Sequence, residues 1–169
     1  MSNVLARNRQ LTKLDFYNNA VTLRKEIVSF VMNEKNVPKK WRFVLVIPTI
    51  EVAENLVNDV TLANSYFPSS IKNCEKRKEQ FVEAIADCEI LYQKLQFIID
   101  TVPVNINKLY PLGKMISQEI KLLKGCVDST NSKAREFKKN MNSSNAKKKT
   151  KTTSDTKVKS SNPQSKERK

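Results

Sequence analysis

The chain has no histidine and only two glycines, Gly113 and Gly125, among its 169 residues. The absence of histidine excludes histidine-based acid–base catalysis, Ser–His–Asp triads and metal sites that need an imidazole ligand. Two isolated glycines cannot form a glycine-rich phosphate loop, which excludes P-loop and dinucleotide-binding proteins. So little glycine, together with 39% hydrophobic residues, favours a helical fold over a turn-rich β-fold.

Cysteine and long apolar runs are also scarce. The three cysteines, Cys74, Cys88 and Cys126, include no Cys-x-x-Cys pair, and such an odd count predicts neither a disulfide framework nor a zinc site. The first residues lack the apolar stretch of a secretory signal, and the longest apolar run, residues 43–50, is too short to span a bilayer. These features predict a cytoplasmic protein without cofactor, metal or membrane partner.

Positive charge dominates, with 31 Lys and Arg against 17 Asp and Glu. Residues 1–127 hold 18 basic and 13 acidic side chains, whereas residues 128–169 hold 13 basic and 4 acidic ones. A modestly basic body with a strongly basic tail indicates a polyanionic partner, with nucleic acid as the first candidate and an anionic membrane surface as the second. The alternative is a tail that only increases solubility.

Apolar side chains recur at helical spacing in four segments, about residues 12–36, 39–66, 71–101 and 104–124. The four stripes are Phe16, Ala20, Leu23, Ile27, Phe30 and Val31; Trp41, Leu45, Val52, Leu56, Val60 and Ala63; Phe81, Ile85, Cys88, Tyr92, Leu95 and Ile99; and Leu109, Leu112, Met115, Ile116, Ile120 and Leu123. Amphipathic helices joined by short loops predict an all-α, up-down-up-down four-helix bundle over residues 1–127.

Local signals refine these segments. Pro48 predicts a kink inside the second segment or, alternatively, two helices split there. Ser69 or Ser70 is suited to cap the third helix, and Gly125 is placed as the residue that ends the fourth.

Beyond Gly125 the helical pattern fades, with a weak helical extension through Ala134 to Met141 as an open alternative. From Asn142 the chain is rich in Ser, Thr, Asn and Lys with almost no apolar residue. Residues 128–169 are therefore predicted to be a basic tail that is mostly disordered.

Acidic residues show no catalytic arrangement. Glu75, Glu79, Glu83 and Asp87 recur every four residues on the third segment. Di-iron carboxylate bundles use Glu-x-x-His pairs, which a chain without histidine cannot supply. We therefore interpret this row as a solvated, salt-bridged helix face, and we expect the protein not to be an enzyme.

Basic residues carry the functional signal. Cations in the first turn of a helix oppose the helix dipole, so clusters at the starts of the second and third segments suggest use of the charge for phosphate contacts. A plain solvated surface is the alternative. The candidate nucleic-acid-binding residues are Arg24, Lys39, Lys40, Arg42, Lys72, Lys76, Arg77 and Lys78 in the body, and Lys147, Lys148, Lys149 and Lys151 in the tail.

Several stretches resemble the accessory variability determinant of diversity-generating retroelements, over roughly residues 4–124. They are the N-terminal Val-Leu-Ala-Arg-Asn-Arg at residues 4–9, Lys-Trp-Arg-Phe-Val-Leu-Val at 40–46, Ala-Asn-Ser-Tyr-Phe-Pro at 63–68, Arg77-Lys78 followed by Ala-Ile-Ala-Asp-Cys-Glu-Ile-Leu at 84–91, and Ile-Lys-Leu-Leu-Lys-Gly at 120–125. These are packing and charge patterns rather than a catalytic signature. Pro48 and the long Lys-rich tail depart from the family pattern.

The resemblance implies a non-enzymatic four-helix bundle that forms a basic pentamer. Its partners are implied to be a reverse transcriptase and the template RNA or RNA–cDNA hybrid, whose mutagenic copying diversifies a target gene. Arg77 and Lys78 are the basic positions best carried over by motif. Independently, Phe43, Val46 and Ile47 are apolar beyond the needs of one core face, which indicates a partner interface.

Two other functions remain open from the sequence. One is a bundle protein associated with ribosomal RNA, similar to those encoded in ribosomal intervening sequences. The other is a helical protein–protein adaptor without nucleic-acid contact. A neighbouring reverse-transcriptase gene would separate the first function from the second, and salt-dependent RNA binding would separate both from the third.

Overall fold

A computed structural model describes the backbone of residues 14–155 and the side chains of residues 14–142. Its four α-helices are α1 (Asp15–Met32), α2 (Ile47–Ser65), α3 (Ile71–Thr101) and α4 (Tyr110–Asp155), with short 3-10 turns at Lys39–Trp41 and Ile106–Lys108. The described part of the chain contains no strand. It divides into two compact units after Ala134, and the unit that ends there is the predicted four-helix bundle.

Contacts at the helix ends show that α1 and α4 are antiparallel. Near the start of α1, Asn19 donates a hydrogen bond to Glu119 on α4, with Nδ2 2.7 Å from Oε2. Just after α1 ends, Asn36 accepts one from Lys108, which lies just before α4 begins, at 3.1 Å. The short connections from α1 to α2, α2 to α3 and α3 to α4 complete the up-down-up-down order.

The core confirms most of the predicted stripes. All six predicted α1 residues are buried, and Phe16 meets Phe81 of α3 edge to face with ring centroids 5.6 Å apart. On α3 the prediction was wrong for Tyr92, whose side chain is 49% exposed. The buried stripe of this helix is Phe81, Ala84, Cys88, Leu91, Leu95 and Ile98. Its alternating spacing of three and four matches the helical repeat, and Tyr92 lies one position outside it.

Pro48 does not kink the interior of α2, because the α-helix begins only at Ile47. A π-helical turn, Arg42–Val46, precedes it and ends with the backbone N–H of Ile47 bonded to the carbonyl of Arg42. Pro48 has no N–H to offer in the α-helical ladder, which accounts for the change of helix type at this point. The buried hydroxyl of Thr49 donates to the carbonyl of Leu45 at 2.6 Å, so this polar group has a partner in the core.

Gly125 does not end the last helix, which was predicted to stop there. Its φ lies outside the left-handed region that a C-terminal glycine cap requires, and α4 continues through it to Asp155. Gly125 is followed by no glycine or proline before Pro163, so nothing in the sequence interrupts the backbone hydrogen bonds. Residues 142–155, assigned to the disordered tail by composition, are helical here, and residues 156–169 lie outside the described residues.

Ser70 confirms the predicted cap of α3. The backbone N–H of Asn73 donates to the Ser70 hydroxyl at 3.2 Å, which satisfies one of the unpaired donors of the first turn. Asn73 also donates through its side chain to the carbonyl of Phe67 at 3.2 Å. The α2–α3 connection is therefore held by side-chain hydrogen bonds, and it fixes the place where the basic start of α3 meets the end of α2.

Candidate nucleic-acid interface

The two basic clusters predicted from the sequence lie at opposite ends of the bundle. Residues 39–42 come just before the start of α2, whereas residues 72–78 form the first turns of α3 beside the end of α2. The 19 residues of α2 separate the two clusters by about 28 Å at 1.5 Å per residue. The structure therefore does not bring the clusters together, and they are two separate surfaces.

The cluster at the start of α3 is open to solvent. Lys72, Lys76 and Lys78 are exposed, and the ion pairs found among the described side chains do not involve them. The ammonium group of Lys76 lies 5.4 Å from the ring centroid of Tyr66, the residue that follows α2. These three lysines, which we call the α3 lysine cluster, combine solvated charge with the freedom to contact phosphate.

Arg77 has a different role from its neighbours. Its Nη1 donates to the carbonyl of Ala63 at 3.0 Å and to that of Tyr66 at 3.3 Å, and its guanidinium lies 5.0 Å from the Phe81 ring centroid. The Ala63 carbonyl belongs to the last turn of α2, where carbonyls lack partners within the helix. Burial lowers the pKa of the guanidinium below its ordinary value. Arg77 thus joins α3 to the end of α2, a task that charge clustering in the sequence does not reveal.

The cluster before α2 is less free. Lys39 pairs with Glu34, with Nζ 3.2 Å from Oε1, and Lys40 lies over the neighbouring Trp41 ring at 5.5 Å. Arg42 is half-buried. Lys108 lies at the same end because it bonds Asn36 after α1, and sequence spacing alone did not group it with this cluster.

The remaining predicted cations lie elsewhere. Arg24 is on α1 and forms an ion pair with Glu54 of α2, with Nη1 2.9 Å from Oε2. Lys147, Lys148, Lys149 and Lys151 are on the last part of α4, where the structure describes the backbone. Residues 135–155 carry seven basic and two acidic side chains. The resemblance motif at residues 4–9 lies outside the described residues.

Glu119 is a fully buried acid that the sequence analysis missed. Its Oε2 accepts from Asn19, and its Oε1 has no hydrogen-bond partner among the described residues. Burial raises its pKa to about 7, partly offset by the hydrogen bond from Asn19. The signal was present, because Glu119 continues the spacing of the buried Leu112, Ile116 and Leu123.

A second carboxyl group, on Asp87, departs from the predicted salt-bridged row. Asp87 faces Asp59 of α2, and its Oδ2 is buried with no donor among the described residues. Burial, and then the nearby Asp59 carboxylate, raise the pKa of Asp87 to about 6. When Asp87 is protonated, its carboxyl O–H can donate a hydrogen bond to the Asp59 carboxylate, so the two acids titrate as a coupled pair. Glu75, Glu79 and Glu83 are exposed, as predicted, but the ion pairs found among the described side chains do not include them, so the predicted salt bridges of this row are not seen.

An exposed apolar patch surrounds the π turn. Phe43 is 80% exposed, and Val44 and Ile47 also have large exposed surfaces. Val46, which was predicted to belong to this surplus, is instead buried in the core. The patch therefore consists of Phe43, Val44 and Ile47, which we call the π-turn patch.

Comparison with known proteins gave no match to a family model, a curated protein or a solved structure. Between residues 14 and 155, no helix is both long enough and apolar enough to cross a membrane.

Proposed function

We propose that this chain is a non-enzymatic RNA-binding protein that assists a reverse transcriptase of a diversity-generating retroelement. The observation that supports it best is the α3 lysine cluster, three exposed cations at one end of the bundle without ion-pair partners among the described side chains. A lysine that neither stabilises its helix through the helix dipole nor forms an ion pair within the protein is available to bind phosphate. The family resemblance supplies the reverse transcriptase and the template RNA or RNA–cDNA hybrid as partners.

Of the two basic clusters, the α3 lysine cluster is better suited to contact RNA phosphates. In the cluster before α2, Lys39 forms an ion pair with Glu34 and Lys40 lies over the Trp41 ring. This cluster lies one helix length away from the α3 lysine cluster. The basic end of α4 adds positive charge but does not recognise bases, because a lysine ammonium group is a point charge without a fixed arrangement of donors. In this proposal the α3 lysine cluster positions RNA through its phosphates, and Lys147, Lys148, Lys149 and Lys151 add affinity without sequence preference.

The RNA surface is tested by reversing charge. The full chain with Lys72→Glu, Lys76→Glu and Lys78→Glu is compared with a control carrying Lys25→Glu, Lys35→Glu and Lys94→Glu, which makes the same change in net charge. We expect the first variant to bind single-stranded RNA much more weakly than the control, with the helical circular dichroism of both unchanged. Equal affinities of the two variants would mean that only net charge attracts RNA.

The reverse-transcriptase role has its own test. The genes beside this one are expected to include a reverse transcriptase and a template–variable repeat pair. Purified together, that enzyme and this chain should synthesise cDNA from the template RNA, and the Lys72, Lys76 and Lys78 charge-reversal variant should reduce the yield. Synthesis that is unaffected by omission of this chain would contradict the accessory role.

We further propose that the chain assembles into a homopentamer. The π-turn patch supports self-association, because exposed apolar surface of this kind marks interfaces, and the family resemblance supplies the number of five subunits. Light scattering of the full chain should give about five times the chain mass of 19.4 kDa. Phe43→Gln, a polar substitution at the most exposed residue of the patch, should lower this mass, whereas Phe97→Gln on α3 should not. A monomer at all concentrations would rule out the assembly.

A further inference from the structure

A groove between α3 and α4, within the bundle unit, has a volume of about 590 Å³. Leu95 and Leu109 are buried at its base, and Tyr92 and Tyr110 stand on its walls, 49% and 64% exposed. The volume is in the range of cavities that hold small organic groups. Gly113 lines the groove next to Tyr92, because a β-carbon placed there would make an ordinary van der Waals contact with the Tyr92 ring at 3.9 Å.

The groove has positive but no negative charge. Lys114 and Lys121 lie on its α4 side, and none of the described residues that line it is acidic. The ammonium group of Lys114 lies 4.7 Å from the ring centroid of Tyr110. Lys114 and Lys121 are seven residues apart on one helix, which places them about 10 Å apart along its axis. The charge favours an anionic ligand over a neutral or cationic one.

The groove also carries hydrogen-bonding groups beside its aromatic rings. Gln96, Ser117 and Gln118 line it and offer both donors and acceptors. A purely apolar helix of a partner protein would leave these groups and the two lysines unpaired. A nucleotide uses all three features, because its base stacks on an aromatic ring, its edge forms hydrogen bonds and its phosphate pairs with lysine.

We propose that this groove binds an unpaired nucleotide of single-stranded RNA, with its base against Tyr92 and Tyr110 and its phosphates near Lys114 and Lys121. This inference rests on the proposed RNA-binding function and adds a second site to it. The α3 lysine cluster attracts any phosphate backbone, whereas the groove accepts a base only where the strand is unpaired. The site would therefore give the protein a preference for single strands over duplex RNA.

The test removes the rings without removing charge. Tyr92→Leu with Tyr110→Leu is compared with Phe97→Leu, an aromatic residue of α3 that is also 49% exposed but does not line the groove. We expect the double variant to bind single-stranded RNA at least about fivefold more weakly, the low end for loss of one stacked base. Its salt dependence and its binding to heparin, which has charge but no bases, should match the parent.

A second variant and a crosslinking experiment distinguish loss of the groove site from loss of the fold. Gly113→Leu keeps both tyrosine residues but adds side-chain volume against the Tyr92 ring, so it should reduce single-strand affinity in the same way. RNA carrying 5-iodouridine should crosslink under ultraviolet light to Tyr92 or Tyr110. Unchanged affinity in both variants, or crosslinks confined to other residues, would overturn the groove site. RNA binding by the parent protein would still support the RNA-binding part of the proposed function. A parent protein that binds no RNA would refute both.

Discussion

Replacing Glu119 with glutamine should remove most of the pH dependence that this buried carboxyl group gives to the free energy of unfolding. Burial raises the pKa of Glu119 from 4.5 to about 7, so the folded protein holds this proton more tightly than the unfolded chain does. Such a group stabilises the fold fully below its unfolded pKa, and the stabilisation is lost as pH rises through the folded pKa. The shift corresponds to about 3 kcal/mol, of which roughly 2–3 kcal/mol is lost between pH 5 and pH 8.

The assay is urea denaturation of the parent and of Glu119→Gln at several pH values between 5 and 8, at constant ionic strength. The free energy of unfolding should fall with pH more steeply in the parent, because glutamine does not titrate but keeps an oxygen to accept from Asn19. The pKa of Asp87, raised to about 6, acts in the same direction in both proteins, so the difference between their slopes isolates Glu119. Glu79→Gln, at an exposed position of α3, is the matched control and should keep the parental slope.

Two results would refute this reasoning. One is a Glu119→Gln protein whose stability changes with pH as steeply as the parent's, which would mean that the buried carboxyl group does not hold its proton near neutral pH. The other is a parent that becomes more stable relative to the variant as pH rises, because this is the sign expected for a carboxylate stabilised in its charged form.

Other expected outcomes concern Arg77 and the basic end of the chain. Arg77→Met should lower the free energy of unfolding by about 1.5–3 kcal/mol, because two charge-assisted bonds to α2 carbonyls are lost, while Lys78→Met should change it by no more than about 0.5 kcal/mol. Equal effects in denaturation would contradict the joining role of Arg77. Truncation after Met141 should leave the melting temperature unchanged, since the bundle unit ends at Ala134, and should weaken RNA binding mainly at low salt. A truncated protein whose bundle melts at a lower temperature, or whose affinity for RNA at low salt is unchanged, would contradict these separate roles of the bundle and the basic end.

The fold was largely predictable because helical periodicity and cap chemistry are local signals. The buried face of α1 and the Ser70 cap of α3 follow directly from residue spacing and side-chain type. Gly125 was misjudged because glycine at a helix end and glycine inside a helix look alike in sequence. What distinguishes them is φ, which depends on whether the following residues continue the hydrogen bonds.

The candidate site was less predictable because it depends on which residues meet across helices. Sequence grouped Arg77 with Lys76 and Lys78 by charge, but only the packing of α3 against α2 shows that its guanidinium is bonded to carbonyls. The groove was hidden for a related reason. Tyr92 was assigned to the core by an offset of one position. The cations of α4 that lie near it in the structure are far from it in the sequence, on the other side of the α3–α4 connection.

The most direct test of the RNA-binding claim is the slope of log affinity against log salt concentration for the full chain and single-stranded RNA. Each phosphate contact releases counterions, with a slope of about −0.7 per contact on single strands. Replacing Lys72, Lys76 and Lys78 together with glutamine should therefore make the slope less steep by about 2. A variant whose slope equals that of the parent, or a parent with no salt-dependent affinity for RNA, would contradict the account.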